Sequence, residues 1–110
     1  MTQGSVQLAS LPDFNPFPGY VGKIVHGDTM TVVHWEITAD HAIPEHSHPH
    51  EQIVNMMQGE FELVLDGEPI HLRPGDVLVI PGGVPHSGSA ITDCRIIDVW
   101  HPTRDDYQAE

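Results

Sequence analysis

Pro44-Glu45-His46-Ser47-His48-Pro49-His50-Glu51-Gln52 and, further along, Gly75-Asp76-Val77-Leu78-Val79-Ile80-Pro81-Gly82-Gly83-Val84-Pro85-His86 carry the reading of this chain. In an extended backbone successive side chains alternate between faces, so His46 and His48 point the same way. Gln52 shares their parity and Glu51 does not. Two histidines on one strand and a polar group from its continuation can grip one ion. The second stretch is a short apolar strand closed by a Pro/Gly turn, and it delivers another imidazole at His86. The predicted ligands are therefore His46, His48, Gln52 and His86, around one divalent metal ion of the Ni, Zn, Mn, Fe or Co type. A local bulge is the one device that would bring in Glu51 instead. His50 also has the ligands' parity and is expected beside the site or in solvent. His26, His34, His41, His71 and His101 receive no metal role.

Outward from these motifs the chain reads as strands. No apolar pattern of period 3.6 lasts three turns. Short runs rich in β-branched and aromatic residues recur over 30–37, 53–57, 61–65, 69–72, 77–80 and 95–100, each closed by Gly, Pro or Asp. Asp66-Gly67 between two of them is a hairpin-turn dipeptide. Closely spaced strands with tight turns predict an all-β, antiparallel barrel or sandwich. Residues 1–20, with Pro12, Pro16 and Pro18, read as an extended N-terminal arm covering a sheet edge.

Composition narrows the function classes. The 110 residues fit one domain, 1–110, with 39% apolar and 18% charged residues, neither disordered nor membranous in type. Sixteen acidic residues face four basic ones, a net charge of −12. Binding to nucleic acid or an anionic membrane needs a basic face, so neither partner is expected. The longest apolar run, Val77-Leu78-Val79-Ile80, falls far short of the ~20 residues that span a bilayer. Cys94 stands alone, so no intrachain disulfide is expected. Met1 to Tyr20 lacks the basic start and apolar centre of an export signal, which points to a cytoplasmic protein.

The two motifs resemble those of the cupin superfamily. The first cupin motif runs Gly, five residues, His-x-His, a few residues, Glu, six residues, Gly; His46, His48, Gln52 and Gly59 stand at that spacing, with Asp40 in the first glycine's place. The second runs Gly, five residues, Pro-x-Gly, two residues, His, three residues, Asn; Gly75, Pro81, Gly83 and His86 match, with Ala90 in the asparagine's place. The resemblance spans Asp40 to Ala90 and implies a jelly-roll β-barrel and a homodimer. Fold alone does not specify the reaction. Gln52 in place of a carboxylate leaves an ion's charge unneutralised, which favours Lewis-acid polarisation of a substrate oxygen over oxygenase chemistry.

Near the C-terminus, Asp98 shares parity with Ile96 and Trp100, an apolar face on which a solvated carboxylate is unexpected. A carboxylate in a pocket beside a metal is a candidate general base or acid. Asp98, Trp100, Pro102, Arg104 and the pair Asp106-Tyr107 are similar to the closing segment of the pectin-degradation cupins of the KdgF type, which also use three His and one Gln at the metal. That resemblance implies a metal-dependent, isomerase-like enzyme that linearises 4,5-unsaturated monouronates from pectin or alginate. Asp98 would be catalytic, Trp100 would pack on the sugar ring, and Arg104 would pair with the substrate carboxylate. Arg104 has an alternative, an exposed ion pair with Asp105 or Asp106. Two rival functions are a cupin dioxygenase acting on a small organic substrate and a non-catalytic sugar-binding cupin. The charge imbalance makes one general prediction: salt screens self-repulsion, so the melting temperature rises between 0.05 and ~1 M NaCl, and a flat or falling trend contradicts it.

Overall fold

The computed structural model describes residues 4–108, so the first three residues of the expected N-terminal arm lie outside the described part. Nine strands run in chain order: β1 (Tyr20–His26), β2 (Thr31–Ile37), β3 (Ala42–His46), β4 (Glu51–Gln58), β5 (Phe61–Leu65), β6 (Glu68–Leu72), β7 (Val77–Ile80), β8 (His86–Ala90) and β9 (Cys94–His101). They form two antiparallel sheets, ordered β1-β2-β9-β4-β7 and β3-β8-β5-β6. This is the jelly-roll architecture that the motifs imply. Among the described residues no helix is long and apolar enough to cross a membrane.

The strand period of two decides what faces inward. Along β9, Cys94, Ile96, Asp98 and Trp100 are buried while Arg95 and His101 are exposed. Along β4, Gln52, Val54 and Met56 are buried while Glu51, Ile53 and Met57 face out. Val33, Trp35, Phe61, Leu63 and Ile80 complete the apolar filling between the sheets.

Three strands are barely visible in the sequence. β1 opens where the arm was expected to end, β3 is short and polar, and β8 is His86-Ser87-Gly88-Ser89-Ala90. In β1 and β8 a glycine obscures the strand pattern, and packing explains it. A Cβ on Gly22 would sit 2.8 Å from the Trp35 ring, and one on Gly88 would sit 2.4 Å from the Phe61 ring. Both glycines let a large aromatic lie flat on the backbone. The motif glycines have another reason: Gly59, Gly75 and Gly83 all have positive φ, and Asp40, standing in a motif glycine's place, has φ 68°. Aspartate tolerates that left-handed conformation better than most residues, so the departure from the motif keeps its backbone.

The arm is not uniformly extended. Leu8–Ser10 form a single 3₁₀ turn, and Phe14 then pairs with the edge strand β1 through bonds of 2.9 and 2.8 Å to Gly22. The ring of Phe14 packs on Trp35 and Tyr107 at 5.8 and 4.9 Å. The close approaches generate a prediction. Gly22→Ala and Gly88→Ala each displace a buried ring, so each lowers stability by about 1–3 kcal/mol in denaturant titration.

Candidate metal centre

The polypeptide brings its histidines together by changing sheets. β3 ends at His46 in the four-stranded sheet, residues 47–50 cross over, and β4 begins at Glu51 in the five-stranded sheet. The parity argument assumed one continuous strand through this region. The structure corrects that premise: the side chains converge because the crossing folds 46, 48 and 52 around one point. His86 opens β8, directly opposite His46 in the ladder. Ligating nitrogens of His46, His48 and His86 lie within 4.8 Å of one another.

Backbone carbonyls fix which nitrogen each ring presents. Nδ1 of His46 lies 3.0 Å from the Pro44 oxygen, Nδ1 of His48 3.1 Å from the His50 oxygen, and Nδ1 of His86 2.8 Å from the Val84 oxygen. A carbonyl can only accept, so each Nδ1 carries the proton and each Nε2 offers a lone pair. Burial, aided by the positive Arg104 and by His86, pushes His48 down to about 4; burial likewise lowers His86. Both rings are therefore neutral near pH 7. Nε2 of His86 is buried without a partner, and Nε2 of His48 faces Oε1 of Gln52 at 3.1 Å. Lone pairs pointed at one another fit a cation, and three imidazoles with one amide oxygen suit a transition ion rather than Mg or Ca. Glu51 lies on the outer face opposite His101, and the irregularity in β3 falls between Ile43 and His46, so no bulge turns Glu51 inward.

Beside this cluster, between the sheets, lies a cavity of about 540 Å³ counting its open mouth. Asp98 on β9 lines it and is 8% exposed. Its Oδ2 accepts a 3.0 Å bond from the Trp35 indole N–H, while Oδ1 has no partner. Burial raises the carboxyl to about 6, against the opposing pull of the Gln52 amide, the Trp35 N–H and the Arg104 charge. Arg104 also lines the cavity at 5% exposure. It forms the expected pair with Asp106, Nε to Oδ1 at 3.0 Å and Nη2 to Oδ2 at 2.9 Å. That pair is not an exposed one on the arginine's side, and Nη1 remains unpartnered. Trp100, expected to stack on a sugar ring, is only 3% exposed. The Arg104 guanidinium lies 5.0 Å over its ring and Tyr107 meets it edge-on at 5.4 Å. What Trp100 still offers is an indole N–H without a protein partner.

The profile of the Cupin domain family matches residues 33–100. The chain is a cupin. Its structure is similar to KdgF from Halomonas sp., with 31% identity and a TM-score of 0.88 over 96% of this chain and 98% of that one. It is equally close in shape to an RmlC-like cupin from Shewanella frigidimarina, TM-score 0.88 over 96% of each chain at 22% identity, which speaks for the fold alone. Among curated proteins it resembles the HTH-type transcriptional regulator PuuR of Escherichia coli (strain K12), 38% identical over 58 residues. That match covers 51% of this chain and 31% of the regulator, so the chain spans about a third of the regulator's length.

Sequence reasoning missed other residues of this cupin's cavity. Trp35, which holds Asp98, reads in the sequence as a core aromatic of β2, and only the antiparallel pairing of β2 with β9 brings the two together. Tyr20 also lines the cavity, as does Tyr107, which the sequence singled out only as part of the closing segment. The cluster predicts that the untagged protein retains a single divalent transition ion and that adding Ni or Zn to stripped protein raises its melting temperature. Elemental analysis and thermal shift check this, and a His48→Ala, His86→Ala double variant loses both effects.

Proposed function

We propose that this cupin converts 4,5-unsaturated monouronates into linear keto sugars. One observation carries the reading. Among the described residues, the buried side-chain polar atoms without a partner are His50 Nδ1, His86 Nε2, Asp98 Oδ1, Trp100 Nε1 and Arg104 Nη1, and four of these belong to residues lining one cavity. Each such atom costs about 1–3 kcal/mol unless something satisfies it. An unsaturated uronate matches the set: a hydroxyl for the carboxylate, a carboxylate for the guanidinium, and oxygens for the indole N–H. The likeness to KdgF at 31% identity supports the same reading.

When bound at His46, His48, Gln52 and His86, a divalent ion supplies Lewis acidity toward the substrate oxygens. Asp98, near 6, is largely ionised at pH 7 and accepts the proton of the C1 hydroxyl. A carbonyl forms at C1, the bond from C1 to the ring oxygen breaks, and the electron pair stays on the oxygen now borne by C5. The carboxyl then returns its proton to C4, and the enolate becomes a ketone. The whole is an isomerisation with no other reactant. Trp35 holds Oδ2, which leaves Oδ1 as the oxygen that moves the proton. Arg104 keeps Nε and Nη2 on Asp106 and turns Nη1 to the substrate carboxylate.

The match to PuuR favours a second reading, in which the same cavity holds a ligand without converting it. Freshly lyase-generated unsaturated monouronate separates the two: an enzyme speeds the loss of the enoate ultraviolet absorbance beyond the spontaneous rate, and a binding module leaves it unchanged. Asp98→Asn preserves size and the Trp35 bond but removes the base. Turnover per bound metal falls by roughly 10²–10⁴-fold, about 2.7–5.4 kcal/mol. With both proteins stripped of metal, the variant melts no lower than the wild type at pH 8, because a buried charge has been removed. Near-normal turnover of the folded variant would take Asp98 out of the mechanism.

A further inference from the structure

We propose that His26 and Thr31 are positioning residues that set the Arg104 guanidinium in the cavity for the carboxylate of a sugar acid. The proposal rests on the reading of Arg104 above and adds the device that holds it. Arg104 lies beyond the last strand, on a segment with no ladder to fix its backbone. Its backbone N–H instead donates to Oγ1 of Thr31 at 2.9 Å. Thr31 opens β2, faces inward and is fully buried. The same Oγ1 lies 2.8 Å from Nδ1 of His26, its ladder partner at the end of β1. Nε2 of His26 then reaches the backbone oxygen of Tyr107 at 3.1 Å.

The direction of each bond follows. The Tyr107 carbonyl can only accept, so His26 donates from Nε2 and, in the neutral ring, accepts at Nδ1. Thr31 therefore gives its hydroxyl proton to His26 and takes the Arg104 N–H on its free lone pairs. The three bonds, with Tyr107 N–H donating to the Arg104 oxygen at 3.0 Å, close a ring that ties both ends of the 104–107 turn to the β1–β2 hairpin. The Arg104 guanidinium carbon lies over the Tyr107 ring, 3.9 Å from its centroid, and Asp106 clamps the edge formed by Nε and Nη2. A turn pinned at both ends thus aims the guanidinium between a ring and a carboxylate, with Nη1 left over for a ligand. Neither His26 nor Thr31 belongs to the metal cluster.

The test uses the metal-loaded full chain and two unreactive probes, D-galacturonate and D-galactose, in calorimetry. Wild type is expected to prefer galacturonate, and Arg104→Gln to cut the preference to what the ion alone gives. His26→Ala and Thr31→Val are each expected to shrink it about 5- to 10-fold with galactose binding unmoved, and Thr31→Ser to restore it. Two variants guard against misfolding, since His26 sits at the exposed end of its strand and Thr31→Val keeps the buried shape. Should both retain the full preference while Arg104→Gln cuts it, the positioning role is overturned and the Arg104 reading stands. No preference in wild type, or one that Arg104→Gln leaves undiminished, overturns both. The full pattern without any loss of enoate absorbance supports the positioning role and sinks the proposed reaction instead.

Discussion

A polar group moved out of water costs about 1–3 kcal/mol unless it finds a partner, and the interior of this small jelly roll holds Thr31, His48, Gln52, His86, Asp98 and Arg104. Their satisfaction organises the molecule. The histidines spend one nitrogen each on nearby backbone carbonyls, Asp98 spends one oxygen on Trp35, and Arg104 spends two nitrogens on Asp106. After those bonds are made, unpartnered atoms of His86, Asp98, Trp100 and Arg104 remain on residues that line one cavity. A core of the same size built only from apolar residues would be easier to stabilise and would have nothing to offer a substrate.

The architecture places that remainder in one spot by working from both sheets. His46 and His86 come from the four-stranded sheet, Gln52 and Asp98 from the five-stranded one, and the crossing between β3 and β4 supplies His48. Arg104 and Tyr107 arrive on the segment after β9, which would be free to wander were it not tied to the β1–β2 hairpin and covered by Phe14. Phe14 of the N-terminal arm thus packs on Tyr107, which itself lines the cavity.

Charge poses the opposite problem. A protein of net charge −12 repels an anionic sugar at long range. Of its four basic side chains, Arg104 is the one that lines the cavity. Burial makes that single charge count for more than an exposed one, because little water screens it. A dication beside it would add to the same local reversal of potential.

The alternation of β4 and β9, the Asp66-Gly67 hairpin and the spacing of the two histidine motifs were legible because they are local: period two and turn chemistry act over a few residues. So were the four candidate metal ligands and the inward-facing carboxylate of Asp98. β1 and β8 were hidden because Gly22 and Gly88 answer to Trp35 and Phe61, which are neighbours in space and not in sequence. Gln52 shows the boundary well: parity grouped it with His46 and His48, but it is the crossing between sheets that brings its Oε1 to 3.1 Å from His48 Nε2. The sequence by itself determined an all-β chain with a histidine-rich, inward-facing polar set. Only the tertiary structure decided that Trp35 holds Asp98, that Trp100 is covered by Arg104, and that Thr31 and His26 hold the Arg104 turn. Those contacts join residues far apart along the chain, and no local propensity or period encodes a meeting that the packing of two sheets creates.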